Sequence, residues 1–377
     1  MTQQRAPQAE LSPDGNYCIP TWWEGEEGKF YVWKKEELET ILNADFPLFA
    51  DYYNINEWGV WEDENYILLR REDDETIAQK HQLTVEQMHK TIEGIKVKLQ
   101  EIRNQRVRPG LDDKALTSWN ALMLKAYVDA YNVFGESEFL AAAEKNAAFI
   151  LGKQTHTDGR LNHTYKNNKS AINAYLEDYG FCIEAFIALY EATFQVHYLN
   201  QANTWLSYCI KHFQDKKSSM FFFTSDIDQA LISRKMELAD NVTPSSNSSI
   251  AKSLFIIGHH LEKPEYIDIS RKMLNNVIQE ITAYAEGYSN WGMLLLYICQ
   301  PFYEVSIVGK SVDEKRRSFH KHYLPNKIFA GSETENALPL LKGKYVKGQT
   351  LIYICSNNTC SAPISETSEA IRQMVMA

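Results

Sequence analysis

The sequence predicts a mainly α-helical protein built from repeated helical hairpins and followed by a small α/β appendage. Three observations lead to this fold class. Apolar residues recur at helical spacing from about residue 84. Acidic helix starts at Asp113, Asp178 and Asp240 recur roughly every 60 residues, the length of two helices with their loops in stacked or circularised hairpins. After Pro301 the pattern changes to alternating strands.

The composition is typical of a globular protein. Of the 377 residues, 44% are hydrophobic and 23% are charged, which excludes disordered and fibrous classes. The net charge of −10 disfavours a surface that follows nucleic-acid phosphates. The first ten residues lack a leader pattern, and the longest apolar run, residues 291–299, is too short to cross a bilayer. We therefore predict a cytoplasmic protein that binds neither nucleic acid nor membrane.

Residues 1–83 are predicted to form an irregular N-terminal segment that packs on the helices. Turn signals at residues 12–15 and 24–28 alternate with two short aromatic, strand-like runs at residues 30–33 and 66–69. These runs are too short for a domain of their own.

Residues 84–300 are predicted to form about eight helices. In the helix after Asp113, Leu116, Trp119, Leu122 and Ala126 recur at intervals of three and four residues, and we predict that they form one continuous buried stripe. The other predicted helices cover residues 84–104, 136–152, 173–193, 198–213, 246–261, 265–284 and 288–299.

Residues 301–377 are predicted to form the α/β appendage. Its predicted elements are strands at 303–308, 327–330 and 350–355 and helices at 311–323 and 365–375. The links are too short for a complete dinucleotide-binding fold, and the sequence contains no GxGxxG or phosphate-binding loop. We predict no cofactor.

Six cysteines are too few for a disulfide framework in a chain of this length. Cys18, Cys182, Cys209 and Cys299 lie among apolar or aromatic neighbours, and most cysteines are expected to be reduced core residues. Cys355 and Cys360, in ICSNNTC, match neither a redox CxxC motif nor a zinc-ligand pair. We predict a structural role for them.

Three segments place polar residues at the start of otherwise apolar helices: RPGLDDKALTSWN, AYLEDYGF and DNVTPSSNS. If these helix starts face the centre of a ring, their side chains line one cavity. The candidate catalytic carboxylates are Asp112, Asp113, Glu177, Asp178 and Asp240. The candidate substrate-binding residues are Arg108, Trp119, Asn120, Tyr175, Tyr179, Ser245 and Asn247.

This set of side chains suits a sugar. Aromatic faces stack on the apolar side of a pyranose, carboxylates and amides bind its hydroxyls, and paired carboxylates supply the acid and base of glycosidase or epimerase chemistry. We predict no metal site.

A structural alternative applies to each of these residues. Asp, Ser and Asn are favoured at helix N-termini because they satisfy free backbone N–H groups, so a cap is a commoner role than a catalyst for any one of them. Among the histidines, His320 and His322 are expected on a solvated face, and His259 and His260 are expected to interact with a helix C-terminus.

Several phrases together resemble the spermatogenesis-associated protein 20 family. They are RPGLDDKALTSWNALM, YLEDYGF, DNVTPSSNS, EVSIVG, YLPNK and IYICSNNTCSAP, in that order along the chain. The resemblance implies a thioredoxin-like domain followed by an (α/α)6 barrel similar to N-acylglucosamine 2-epimerases and six-hairpin glycosidases. It also implies that this chain, without the thioredoxin domain and the first barrel helices, forms an incomplete (α/α)6 toroid.

Two functional hypotheses follow. The first is a carbohydrate-active domain, a sugar epimerase or glycosidase relative with a carboxylate-lined cavity. The second is a non-catalytic binding or interaction module, or half of a split protein whose thioredoxin half is a separate chain. Because an incomplete ring leaves apolar helix faces uncovered, we expect a partner, either a second copy or a chain that carries the missing half.

Overall fold

The computed structural model describes residues 22–23, 26–229, 233–356 and 359–376. The chain divides into two compact units, residues 1–112 and residues 113–377. The boundary that we predicted between residues 83 and 84 therefore lies inside the first unit, and the second unit contains the rest of the predicted helical region, from residue 113, together with the appendage. The protein is 53% helical with a few small sheets, which confirms the mainly α class.

The described part of the first unit contains short strands and four α-helices. Strand β1 (Trp22–Trp23) pairs with β2 (Glu26–Glu27), and β3 (Trp33–Lys34) pairs with β4 (Asn65–Tyr66), both antiparallel. The helices are α1 (Lys35–Leu42), α2 (Phe46–Tyr52), α3 (Asp74–Lys80) and α4 (Val85–Asn104). Leu38, Phe49, Met88 and Ile92 are buried in their common core. The sequence pattern missed α1 to α3 because seven or eight residues give too few turns for a clear period.

Helix α4 begins at a capping box. The Gln87 N–H donates to Thr84 Oγ1 (3.1 Å), and the Thr84 N–H donates to Gln87 Oε1 (2.9 Å). Two N–H groups that the first turn cannot satisfy internally thus find acceptors, which explains why the predicted start near residue 84 agrees with the structure.

The second unit is dominated by helices that pair into hairpins. Its elements up to residue 300 are β5 (Ala115–Leu116), α5 (Thr117–Phe134), α6 (Ser137–Phe149), β6 (Asn162–Lys166), β7 (Lys169–Asn173), α7 (Leu176–Thr193), α8 (Val196–His212), α9 (Ser246–His260), α10 (Pro264–Asn275), α11 (Ile278–Ala283) and α12 (Ser289–Cys299). Helices α5 and α6, α7 and α8, and α9 and α10 form hairpins, and α5, α7, α9 and α12 pack side by side in that order. The described residues thus form three hairpins and one further inner helix, which confirms the incomplete (α/α)6 toroid.

In the row formed by α5, α7, α9 and α12, the two middle helices are more buried than the two at the ends. Most residues of α7 and α9 are buried, as expected for helices packed on several sides. Helix α5, at one end of the row, buries Ala121, Leu124, Val128 and Tyr131, not the apolar stripe through Trp119 that we predicted to be buried. On that stripe Trp119, Met123 and Val133 are 67%, 52% and 72% exposed. On α12, at the other end, Met293 and Leu296 are exposed.

A three-stranded antiparallel sheet of order β5-β6-β7 combines the strand before α5 with the two strands between the first and second helical hairpins. The turn between β6 and β7 consists of Asn167 and Asn168, both left-handed, with φ of 51° and 58°. Asparagine tolerates this conformation, which tight hairpins require. We predicted a loop here and a helix from residue 173, whereas α7 begins at Leu176.

The helix predicted over residues 265–284 is broken in two. Helix α10 ends at Asn275 and α11 begins at Ile278. Asparagine side chains compete with helical hydrogen bonds, and Asn276 Nδ2 donates to the Ser218 carbonyl (2.7 Å).

The appendage contains β8 (Tyr303–Val308), α13 (Val312–His320), β9 (Lys327–Ser332), β10 (Leu351–Ser356), β11 (Thr359–Cys360) and α14 (Thr367–Met376). The sheet order is β11-β10-β8-β9, with β8 and β9 parallel and the other pairs antiparallel. Helix α13 makes the crossover that a parallel pair requires. The predicted α/β appendage is confirmed.

The cysteines differ in part from our expectation. Cys182 and Cys209 are buried free thiols, but Cys299 is exposed at the end of α12, and Cys355 and Cys360 form a disulfide. Cys18 lies outside the described residues. Within the described ranges, none of the helices has both the length and the apolar character needed to cross a membrane.

Candidate functional site

The starts of the inner helices meet at one end of the row. The Ser118 N–H at the start of α5 donates to Asp178 Oδ1 near the start of α7 (2.9 Å). A Cβ added at Gly180 would lie 3.2 Å from Ser249 Cβ and 3.6 Å from the Ser246 carbonyl oxygen, so the second turn of α7 is in close contact with the first turn of α9. The three predicted polar segments therefore supply helix starts to one region of the molecule.

Asp178 is the centre of this region. Its carboxylate is fully buried and accepts three N–H groups: Ser118 N, Tyr175 N (2.9 Å) and His163 Nδ1 (2.8 Å). Burial raises the pKa of Asp178, while the hydrogen bonds from His163, Tyr175 and Ser118 act in the opposite direction. Because both oxygens are occupied, Asp178 acts as a cap shared by two helices and holds His163 in place.

His163 is the residue of this cluster that our sequence reasoning missed. It lies on β6 with only 15% of its side chain exposed, and its ring meets Tyr175 edge to face at 4.8 Å. The hydrogen bond that His163 donates to the Asp178 carboxylate raises the pKa of His163. The sequence signal that could have placed His163 on a strand was the alternation of Leu161, His163 and Tyr165 before the Asn-Asn turn, a pattern typical of a β-hairpin.

Glu177 adds a less constrained carboxylate. Burial raises the pKa of Glu177, and the negative charges of Asp178 and Glu237 raise it further. One ligand atom each from His163, Glu177 and Asp178 lies within 4.8 Å of the others. Glu237 comes from the loop between α8 and α9, and sequence reasoning missed it because an irregular loop has no periodic pattern.

The donor set of one imidazole and two carboxylates could in principle hold a divalent cation. However, three N–H groups already donate to the buried Asp178 carboxylate, so His163 and Glu177 are the less constrained ligands. Protein metal sites with catalytic zinc usually have three protein ligands. The arrangement is better suited to proton transfer, since an imidazole oriented by a carboxylate lies beside a carboxyl group with a raised pKa.

The loop between α8 and α9 covers this end of the helices. Asn247 Nδ2 donates to the carbonyls of Phe221 and Glu237 (both 2.9 Å), and Asn247 Oδ1 accepts from Phe221 N (2.8 Å). Asn247 is fully buried. Its amide therefore fixes the backbone that carries Glu237.

Asp240 is a second shared cap. Asp240 Oδ1 accepts from Ser245 N (2.8 Å) and Ser248 Oγ (3.1 Å) on α9, and Oδ2 accepts from Asn290 N (2.8 Å) at the start of α12. Ser245 is the N-cap of α9, with its Oγ accepting from Ser248 N.

The other predicted residues of the second unit are more dispersed. Asp113 is exposed and pairs with Lys166 (2.7 Å), which lowers the pKa of Asp113. Asn120 Nδ2 donates to the Leu116 carbonyl (2.8 Å). Tyr179 is fully buried and accepts from Leu161 N (3.0 Å), whereas Trp119 is mostly exposed. The catalytic and binding roles of all these residues remain predictions.

Two predicted residues belong to the first unit. Arg108 is exposed and donates to Asn104 Oδ1 (2.8 Å), and Asp112 is the last residue of that unit.

Three histidines that we did not assign to the site contact other side chains. His259 Nδ1 lies 2.7 Å from Glu304 Oε1, and His260 Nε2 lies 3.0 Å from Glu191 Oε1. His320 does not lie on a fully solvated face: it packs against Phe329 (5.3 Å), and burial lowers the pKa of His320 to about 3.

The sequence of the chain is similar to those of two known animal proteins. No protein-family model matches it. The chain is 26% identical over 381 residues to uncharacterized protein B0495.5 of Caenorhabditis elegans and 24% identical over 392 residues to human spermatogenesis-associated protein 20. Its homologues thus include spermatogenesis-associated protein 20. The resemblance stated from the sequence phrases is thereby confirmed.

The alignments cover most of this chain but only about half of each relative. Each covers 91% of this chain, 51% of the nematode protein and 49% of human spermatogenesis-associated protein 20. The chain thus spans about half the length of the curated relatives it matches.

Solved structures that align with less than half of this chain include a sugar epimerase and a mannosidase. Cellobiose 2-epimerase from Bacillus thermoamylovorans has 13% identity and a TM-score of 0.37, with 44% of this chain and 45% of that chain covered. The glycoside hydrolase family 76 mannosidase Bt3792 of Bacteroides thetaiotaomicron has 14% identity and a TM-score of 0.36, with 45% of each chain covered.

The two predicted aromatic site residues are expected to respond differently to truncation. Tyr179 stacks on Tyr208 (5.2 Å) and meets Phe213 edge to face (5.5 Å). Tyr179→Ala should therefore cost about 3–5 kcal/mol of unfolding free energy, whereas Trp119→Ala should cost less than about 1 kcal/mol. Urea unfolding followed by circular dichroism measures both. Similar small losses in the two variants would contradict a core role for Tyr179.

A second prediction concerns the pH dependence of stability. The folded-state pKa of Glu177 is raised, so its contribution to stability is present at low pH and is lost as the pH rises through the folded pKa. Glu177→Gln should be more stable than the wild type at pH 7, by about 0.5–1 kcal/mol for this partly buried group, and equal to it near pH 3.

Urea unfolding at pH 3 to 8 measures the difference. The control is Glu138→Gln, which removes an exposed carboxylate from α6 and should stay within about 0.5 kcal/mol of the wild type. A Glu177→Gln variant that loses stability at pH 7 would show that the carboxylate is favourably paired.

Proposed function

We propose that the second unit carries an acid/base site for a carbohydrate, in which His163 and Glu177 transfer protons and Asp178 positions His163. The observation that carries the proposal is the cluster itself. An imidazole hydrogen-bonded to a buried carboxylate lies beside Glu177, with one ligand atom of each of the three residues within 4.8 Å of the others.

The proton assignments follow from the shifted pKa values. Asp178 raises the pKa of His163, which favours the imidazolium form and suits a general acid. Burial and neighbouring negative charge raise the pKa of Glu177, which makes its carboxylate a stronger base. A residue of this kind can remove a proton from carbon next to a carbonyl while its partner supplies one. This division of roles corresponds to an epimerase or isomerase.

The neighbouring aromatic residues support a sugar as substrate. Tyr175 is partly exposed, stacks on Phe223 at 4.9 Å with an interplanar angle of 16°, and contacts His163. A polar cluster beside an aromatic face is suited to a pyranose, whose C–H groups stack on rings and whose hydroxyls need hydrogen-bond partners.

Hydrolysis of a glycosidic bond by Glu177 and Asp178 is a weaker proposal. A glycosidase needs two carboxyl groups that reach opposite sides of the bond, and the Asp178 carboxylate is fully buried and already accepts three N–H groups. A second candidate pair is Glu177 and Glu237, which is favoured by the effect of the Glu237 charge on the pKa of Glu177. Glu237 accepts from Ser246 Oγ (3.2 Å) and has its other oxygen for a substrate.

Because the chain spans about half of its curated relatives, the activity of the whole protein is likewise a proposal. The non-catalytic alternative, a binding module with the same cluster, predicts ligand binding without turnover.

The test is to incubate the chain with simple and N-acetylated sugars in D2O and follow deuterium incorporation at the carbon next to the carbonyl by NMR. Proton abstraction by Glu177 predicts incorporation in the wild type. Glu177→Gln and His163→Asn should reduce the rate by about 10²–10⁴-fold, because each removes one of the two proton-transfer groups.

Glu138→Gln is the matched control and should keep the rate within about twofold. Release of reducing sugar from disaccharides that is lost in both Glu177→Gln and Glu237→Gln would instead favour the glycosidase pair. Sugar binding with neither exchange nor hydrolysis in the wild type would contradict both and favour a binding module.

A further inference from the structure

The disulfide of the appendage lies at a cavity separate from the sugar site proposed above. Cys355 on β10 and Cys360 on β11 are register partners on neighbouring antiparallel strands. Both line a cavity of about 500 Å³ between the end of α9 and the appendage, which is in the size range of small-molecule sites.

The two sulfur atoms differ in access. Cys355 is 2% exposed, whereas Cys360 is exposed on the edge strand. An incoming thiolate can therefore reach the Cys360 sulfur, and the sulfur that leaves is that of Cys355. In thiol–disulfide exchange the rate depends on which sulfur is accessible and on how well the leaving thiolate is stabilised.

A cation is placed at the leaving sulfur. Lys344 Nζ lies 3.5 Å from Cys355 Sγ and 3.2 Å from Ser306 Oγ. A nearby ammonium group stabilises a thiolate. Burial lowers the pKa of Lys344, while Glu304 and Glu262 raise it. These two carboxylates also line the cavity, so charges of both signs face a molecule that enters it.

We propose that Cys355–Cys360 is a thiol–disulfide exchange site that takes a small zwitterionic thiol, with Cys360 as the point of attack and Lys344 stabilising the Cys355 thiolate. The thiol first loses its proton to solvent. Its thiolate attacks Cys360 Sγ and forms a mixed disulfide, while the bond between the two protein sulfurs breaks and its electron pair stays on Cys355 Sγ.

Two steps can follow. Attack of the Cys355 thiolate on Cys360 Sγ expels the small thiolate and restores the disulfide. Attack of a second small thiolate on the small thiol's own sulfur in the mixed disulfide frees the Cys360 thiolate, and the two small thiols leave as their disulfide. The second outcome reduces the protein by two electrons, which the small thiols supply. In a reducing compartment such as the cytoplasm, disulfides are usually of this exchangeable kind.

The other described cysteines give little background. Cys182 and Cys209 are buried, and burial raises the pKa of each thiol well above its ordinary value. Cys299 is exposed and free, and Cys18 lies outside the described residues. Both can be changed to Ser in the test protein.

The experiment exposes the full chain, with Cys18→Ser and Cys299→Ser, to glutathione buffers of graded redox ratio, followed by acid quenching, alkylation and peptide mass spectrometry. We expect a glutathione adduct on Cys360 and alkylation of Cys355 in the same molecules. Lys344→Met should slow adduct formation about tenfold because the leaving thiolate loses its cation. Lys344→Arg should keep the rate within about threefold.

The matched control is Lys342→Met, which removes an exposed lysine two residues away and should leave the rate unchanged. A disulfide that stays intact at the most reducing ratio would overturn the proposal. So would an adduct on Cys355, or equal rates in the wild type and a folded Lys344→Met variant.

Discussion

The second unit depends on carboxylates that accept backbone N–H groups from two helices at once. The first N–H groups of a helix have no acceptor within the helix. Asp178 on α7 accepts from the first turn of α5, and Asp240, just before α9, accepts from the first turn of α12. A helix start that is capped by its neighbour cannot slide or turn away without losing a buried hydrogen bond. This constraint aligns the starts of the inner helices at one end of the array.

The same constraint creates the candidate site. Once Asp178 is fixed between two helix starts, its Oδ2 also accepts a hydrogen bond from His163 on β6, and the adjacent Glu177 is held in a region that already contains negative charge. Glu177 therefore carries an electrostatic cost that His163 and Ser118 offset only in part. Functional sites often hold charged groups at a cost to the stability of the fold. Asp240, in contrast, accepts three hydrogen bonds that stabilise its charged form. Glu177 and Asp178, which are adjacent in the first turn of α7, thus have different roles: Asp178 caps helices, and Glu177 is the proposed proton-transfer group.

Sequence could predict the helices but not the site. The long helices α5, α7, α8 and α9 were predictable because their cores require a 3.6-residue period. The distinction between cap and catalyst was not, because an Asp at a helix start has the same sequence signature in either role. His163 and Glu237 come from a β-hairpin and an irregular loop, and only tertiary contacts bring them to Glu177. The Asn167-Asn168 turn could have revealed the hairpin, though not the partner of His163.

The most direct test of the shared caps is hydrogen–deuterium exchange in Asp178→Ala and Asp240→Ala. If each carboxylate holds the start of a neighbouring helix, Asp178→Ala speeds exchange at the amides of the first turn of α5, including Ser118, and leaves the first turn of α12 as in the wild type. Asp240→Ala does the reverse, with faster exchange around Asn290 and no change at Ser118. Faster exchange confined to the helix that carries the substitution, or no local change in either variant, would contradict the account.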